Sequence, residues 1–177
     1  SGSAWTKEPN GNQFYLHLFK ESMPDLNWSN LAVRKAMLSV AKCWIDNGID
    51  GFRFDAFIYI DKPEDLPDDK SVSSDEFGSG QKVTEYGTNL KIYLQELISE
   101  LKKHKKDLFI IGEATTADSD TALTYLGAEN NLLDAIITFT YFPEVDAEKD
   151  ARLPAKKLAG RLDKQKFKTI MSDWQKK

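Results

Sequence analysis

Apolar positions fall into two rhythms along this 177-residue chain. Val33, Met37, Val40, Ala41 and Trp44 recur at helical spacing. That pattern predicts an amphipathic helix, capped at its start by Ser29 or Asn30 and stopped by Gly48. Ile49 to Asp55 is instead a short, mostly apolar run of the kind a buried strand needs. The alternation then repeats. Leu90, Leu94, Leu97, Ile98 and Leu101 form the stripe of a second helix, for which Thr88 is the candidate cap. Leu108 to Gly112 reads as a second strand. A short helix opens at Asp118 or Ser119 and closes at Gly127. Leu133 to Thr140 reads as a third strand. Phe167, Ile170, Met171 and Trp174 mark one side of a last helix.

The order is helix, strand, helix, strand, helix, strand, helix. Apolar strands alternating with amphipathic helices predict an α/β fold with a parallel sheet covered on its faces. Two stretches break the rhythm. Residues 1–28 are rich in Gly, Asn, Pro and Trp and read as loop with one short extended segment, "FYLHLF". Residues 61–87 carry Pro, Gly, Ser and many acids without a period, and read as a long, mobile excursion.

Charge changes the picture little. The net charge of −4 and pI near 5.3 argue against a nucleic-acid partner, which needs a clustered basic face. Lys102, Lys103, Lys105 and Lys106 close the second helix and read as a solvated end that complements the helix dipole. No apolar run reaches the length of a membrane span, so no membrane partner is expected. Cys43 is the single cysteine, so no intrachain disulfide can form. It reads as a small core or boundary residue, and its solitude fits a reducing, cytoplasmic setting.

The candidate chemistry sits where two strands end. "GIDGFRFDA" finishes on Asp55 and "IIGEA" reaches Glu113. In parallel α/β folds the reacting side chains project from the C-terminal ends of the strands. Neighbouring strands lie about 4.8 Å apart, so two such carboxyl groups can approach to about 5–5.5 Å, the separation of a retaining glycosidase. One carboxylate would attack the anomeric carbon; the other would protonate the leaving oxygen and later activate water. Arg53, two residues before Asp55, points to the same face and favours its charged form. Glu113 follows Ile110, Ile111 and Gly112 and lacks a basic neighbour in sequence, a drier setting suited to a group that must hold a proton. The same residues also fit a purely structural role, as a buried Arg–Asp pair and an acid that ends a strand.

Resemblance adds what spacing leaves open. "GFRFDAF" and "IIGEA" resemble two conserved regions of the α-amylase superfamily, glycoside hydrolase family 13. "GSAW", "YLHLF", "PDLNW", "VRKAM", "YLQEL" and "IMSDWQ", in that order, resemble its oligo-1,6-glucosidase and dextran glucosidase subfamily, which also holds trehalose-6-phosphate hydrolase. The resemblance implies Asp55 as nucleophile, Glu113 as general acid/base and Arg53 as the arginine that orients and charges the nucleophile. It also implies a (β/α)8 barrel. Residues 1–28 would be the end of the domain inserted after the third barrel strand. Residues 29–177 would be a partial barrel whose three strands match the fourth, fifth and sixth. Ala56, beside the nucleophile, becomes a substrate-binding position: valine there goes with α-1,6 linkages and alanine more often with α-1,4, so Ala56 tilts away from strict α-1,6 hydrolysis.

Other family regions have no counterpart. The Asp and Asn-His of the first region and the His-Asp of the fourth are missing, and His17 and His104 match neither. His17 reads as structural and His104 as solvated. A complete barrel needs about 250 residues, so the expectation is an internal piece of a larger enzyme, inactive and self-associating by itself. An oligosaccharide is the expected substrate of the parent, with no metal and no cofactor.

Overall fold

A computed structural model describes residues 3–70, 78, 80–127, 132–141 and 163–177. The chain divides into two compact units, Ser1–Ile110 and Ile111–Lys177, and the division falls inside one strand. The elements are β1 (Trp5–Lys7), β2 (Phe14–Leu16), α1 (Leu31–Asp46), β3 (Gly51–Phe54), a 3-10 turn (Phe57–Tyr59), α2 (Gln81–Thr84), α3 (Leu90–His104), β4 (Phe109–Glu113), α4 (Ser119–Leu123), β5 (Ala135–Ile137) and α5 (Lys164–Lys176). The expected alternation is therefore present, in a parallel sheet of order β3-β4-β5. The sheet order follows the chain order, as short sequential units require.

In the first unit, α1 starts where its sequence signal placed it. Asn30 adopts an extended backbone and its side-chain oxygen accepts the Ala32 N–H at 2.9 Å. Gly48 ends the element at φ +95°, a left-handed conformation that suits glycine. Gly51 opens β3 because β4 approaches it closely: a Cβ there would lie 2.2 Å from the Phe109 carbonyl oxygen. The Phe109 N–H donates to the Asp50 carbonyl at 3.0 Å.

The period of two along β3 sorts its side chains. Phe52 and Phe54 share an apolar cavity of about 250 Å³ with Met37, Val40, Ala41 and Trp44 of α1 and with Leu94 and Leu97 of α3. Arg53 alternates with them. Leu90, Leu94, Ile98 and Leu101 of α3 are buried, as their stripe predicts. The α1 stripe is not: Val40 and Trp44 are exposed, Trp44 at 57%. Cys43, expected at the core or its boundary, is also exposed. Ile45 is the buried residue of α1. The helix has a helical rhythm but lacks, among the described residues, a layer to cover that face.

Polar contacts fasten α1 to α3. Arg34 Nε donates to Glu96 Oε2 at 2.8 Å while its guanidinium lies 4.8 Å from the Tyr93 ring centroid. His104, expected to be solvated, pairs with Asp46 at 2.6 Å. Lys105 does more than complement a dipole. It donates to the Ile49 carbonyl and to Asp50 Oδ1, and that hydrogen bond holds the Asp50 carboxyl below the usual carboxylate range.

Two readings of the irregular stretches are corrected. The first 28 residues hold an antiparallel hairpin, β1 with β2, and not one extended segment. Three-residue strands are too short to show alternation. The 61–87 excursion contains α2; residues 71–77 and 79, part of the stretch expected to be mobile, lie outside the described residues. Nor does Thr88 cap α3. The N-cap position is Asn89, whose own side chain makes no cap. Buried Asp61 serves instead, its Oδ2 accepting the Asn89 N–H at 2.6 Å. Asp61→Ala is expected to destabilise the protein by about 1–2 kcal/mol, the usual cost of losing a cap. A urea midpoint unchanged from the parent would show that Asp61 does not hold the helix.

In the second unit, Asp118 caps α4 by accepting the Thr121 N–H at 2.8 Å, which depresses its own titration below the usual range. The third strand is shorter than its apolar run, Ala135–Ile137 only. Ser119 Oγ donates to Asp173 and Lys177 pairs with Asp120, which fixes α5 against α4.

Candidate active site

Asp55 follows the last residue of β3 and stands on the face that carries Arg53. The guanidinium Nη2 lies 3.0 Å from Asp55 Oδ1, with the two side chains 47% and 70% exposed. The pairing expected from the two-residue period is therefore formed, at the solvent-facing end of the strand and not in a buried pocket.

The backbone beyond Asp55 is tightly held. Ala56 adopts φ +43°, ψ +38°, a left-handed conformation uncommon for a residue with a Cβ. The turn it begins drives Phe57, Ile58 and Tyr59 into the core. The Tyr86 N–H then donates to the Ile58 carbonyl at 2.8 Å, and Asp61, five residues after Ala56, caps α3. Phe19 meets the Tyr59 ring edge-on at 6.1 Å. Left-handed non-glycine backbone persists only where the surroundings over-determine it, and here they do.

Glu113 belongs to the second unit and is the last residue of β4. It is buried, 8% exposed. In the register it faces Ile137 of β5, while Gly112 faces Ile136. The pairing continues past the acid: the Ala114 N–H donates to the Ile137 carbonyl at 2.9 Å, and Phe139 N–H to the Thr115 carbonyl at 3.1 Å. Thr138 Oγ1 donates to the Ala117 carbonyl at 2.6 Å, closing the turn after the strand. The structure thus joins Arg53 to Asp55, and each acid stands at the C-terminal end of its own strand.

Asp61, Tyr86 and Thr138 are supporting residues that the sequence did not reveal. Each acts on a backbone group far along the chain, so no local spacing marks it. Among the described residues no group of three or more His, Cys, Asp or Glu is arranged to hold a metal ion. No described helix is long and apolar enough to cross a membrane.

Sheet, helices and strand-end acids define a piece of a (β/α)8 barrel of the glycoside hydrolase kind. The model of the alpha amylase catalytic domain matches residues 1–177, and the chain belongs to that family. It is 34% identical to an oligo-1,6-glucosidase of Halalkalibacterium halodurans over 99% of its length, and 36% identical to that of Heyndrickxia coagulans. It covers only 30% and 31% of those relatives. A solved structure described as a family GH13_31 enzyme superposes with a TM-score of 0.83 at 33% identity, over 98% of this chain and 31% of that one.

Proposed function

We propose that the protein carrying this chain is a retaining α-glucosidase acting on short isomalto- or malto-oligosaccharides. The observation that carries this reading is the Arg53–Asp55 pair at the end of β3, in a chain of the α-amylase family. The similar oligo-1,6-glucosidases support the substrate class. Asp55 is the nucleophile. A carboxylate oxygen attacks the anomeric carbon as the glycosidic C–O bond breaks, and Glu113 gives its proton to the departing oxygen. Water then loses a proton to Glu113 and attacks the same carbon, which frees Asp55. Arg53 aims the nucleophile through their 3.0 Å contact. Glu113 is buried at the end of β4.

Ala56 borders the substrate beside the nucleophile, and its small side chain leaves room for either linkage. Residues 1–28 belong to the end of an inserted domain and residues 29–177 to the catalytic barrel. Proton NMR of the first sugar released by the full-length protein tests the mechanism. The α-anomer is expected first; initial release of the β-anomer would overturn double displacement.

A further inference from the structure

A cleft of about 1020 Å³ opens in the first unit, and neither Arg53 nor Asp55 lines it. One wall is the β1–β2 hairpin, with Trp5, Phe14 and Tyr15. Residues 61–64, 66, 83 and 86–89 also line it, Tyr86 among them. Trp28 and Tyr93 also line it. Several of these apolar surfaces are bare: Trp5, Phe14, Leu26 and Leu66 are all exposed. Single exposed apolar side chains are ordinary, but several converging on one concavity mark a ligand groove.

The lining chemistry narrows the ligand. Lys62 reaches the cleft, but its ammonium is committed to Asp25, and both side chains are largely buried. Asp25 is held further by the Leu18 N–H at 2.8 Å. The cleft therefore offers no spare cation from Lys62 to an anion. Its remaining polar lining is Asn27, Ser29, Thr88 and Asn89 with two carboxylates, Glu64 and Asp61, the latter already accepting the Asn89 N–H. Such groups exchange hydrogen bonds with neutral hydroxyls. Aromatic faces alternating with them suit a molecule with apolar C–H faces and hydroxyl edges. A cavity of this size exceeds what one small ligand needs.

We propose that this cleft is a second, non-catalytic site for a neutral oligosaccharide, gripped by Trp5, Phe14 and Tyr86. The choice of a glucan as ligand rests on the α-glucosidase reading; the site's preference for a neutral polyol rests on its lining.

The test uses the full-length protein with Asp55→Asn, titrated with maltoheptaose by calorimetry. Two sites per chain are expected. Adding Trp5→Ala should remove one, weakening it by about tenfold or more, the loss typical of a buried aromatic anchor. Phe14→Ala should weaken the same site, because Phe14 lines the cleft and is exposed. In the otherwise unsubstituted protein, Trp5→Ala should leave turnover of a small aryl α-glucoside unchanged. A single site in the parent, or two sites indifferent to both substitutions, would overturn the proposal. So would loss of thermal stability on Trp5→Ala without a second sugar site, since the cleft would then hold another segment of the polypeptide. Failure of the hydrolase reading shows differently, as absent aryl-glucoside turnover in the unsubstituted protein beside an intact Trp5-dependent binding site.

Discussion

Replacing Asp55 by Asn in the full-length protein should lower kcat on the order of 10⁴-fold or more, the scale seen when one member of a catalytic unit is removed. Asparagine keeps the shape of the side chain, so the turn through Ala56 and the buried Phe57, Ile58 and Tyr59 should stand. What goes is the negative charge. The amide oxygen is a poor nucleophile, and Arg53 loses the partner 3.0 Å away. Because the pair is largely exposed, its loss as an ion pair should scarcely move stability. The combination separates the chemistry from the scaffold. Measuring kcat and the thermal midpoint together checks it, and near-normal turnover would remove Asp55 from the nucleophile role.

The 177-residue chain by itself should release nothing from a chromogenic α-glucoside and should scatter light at micromolar concentration. Glycoside hydrolysis requires the sugar hydroxyls and the developing charge to be held by preorganised groups, beyond the nucleophile and the acid. The family residues expected to do so, an Asp and an Asn-His pair in one region and a His-Asp pair in another, have no counterpart in this sequence. The fold points the same way. The chain spans about 30% of the length of the relatives it matches. Among the described residues its sheet has β3 and β5 as edges, and unpaired edges recruit other chains. Trp44 and Val40 lie bare on α1, as do Ile92 on α3 and Phe109 on β4. A second copy is the simplest cover for such surfaces. A compact monomer that turns over substrate would contradict both expectations.

The sequence by itself determined the alternation of α1, β3, α3, β4, α4, β5 and α5, because hydrophobic period is a local property that survives in any context. Asn30 and Asp118 could be read as caps because each bonds to a backbone N–H within three residues. The Arg53–Asp55 pairing was legible for the same reason: a two-residue spacing on a strand leaves one geometry. Tertiary structure decided what period cannot. It exposed Val40, Cys43 and Trp44 on a helix whose stripe looks like core, since burial depends on what else is there to pack. It gave the α3 cap to Asp61, 28 residues from the N–H it holds. It turned Ala56 left-handed, a strain that only the Ile58–Tyr86 hydrogen bond and the buried ring edges around it can sustain. And it left Asp55 in solvent, because solvent access is set by the layers around a strand and not by the strand itself, while the burial of Glu113 is the drier setting that its apolar neighbours predict.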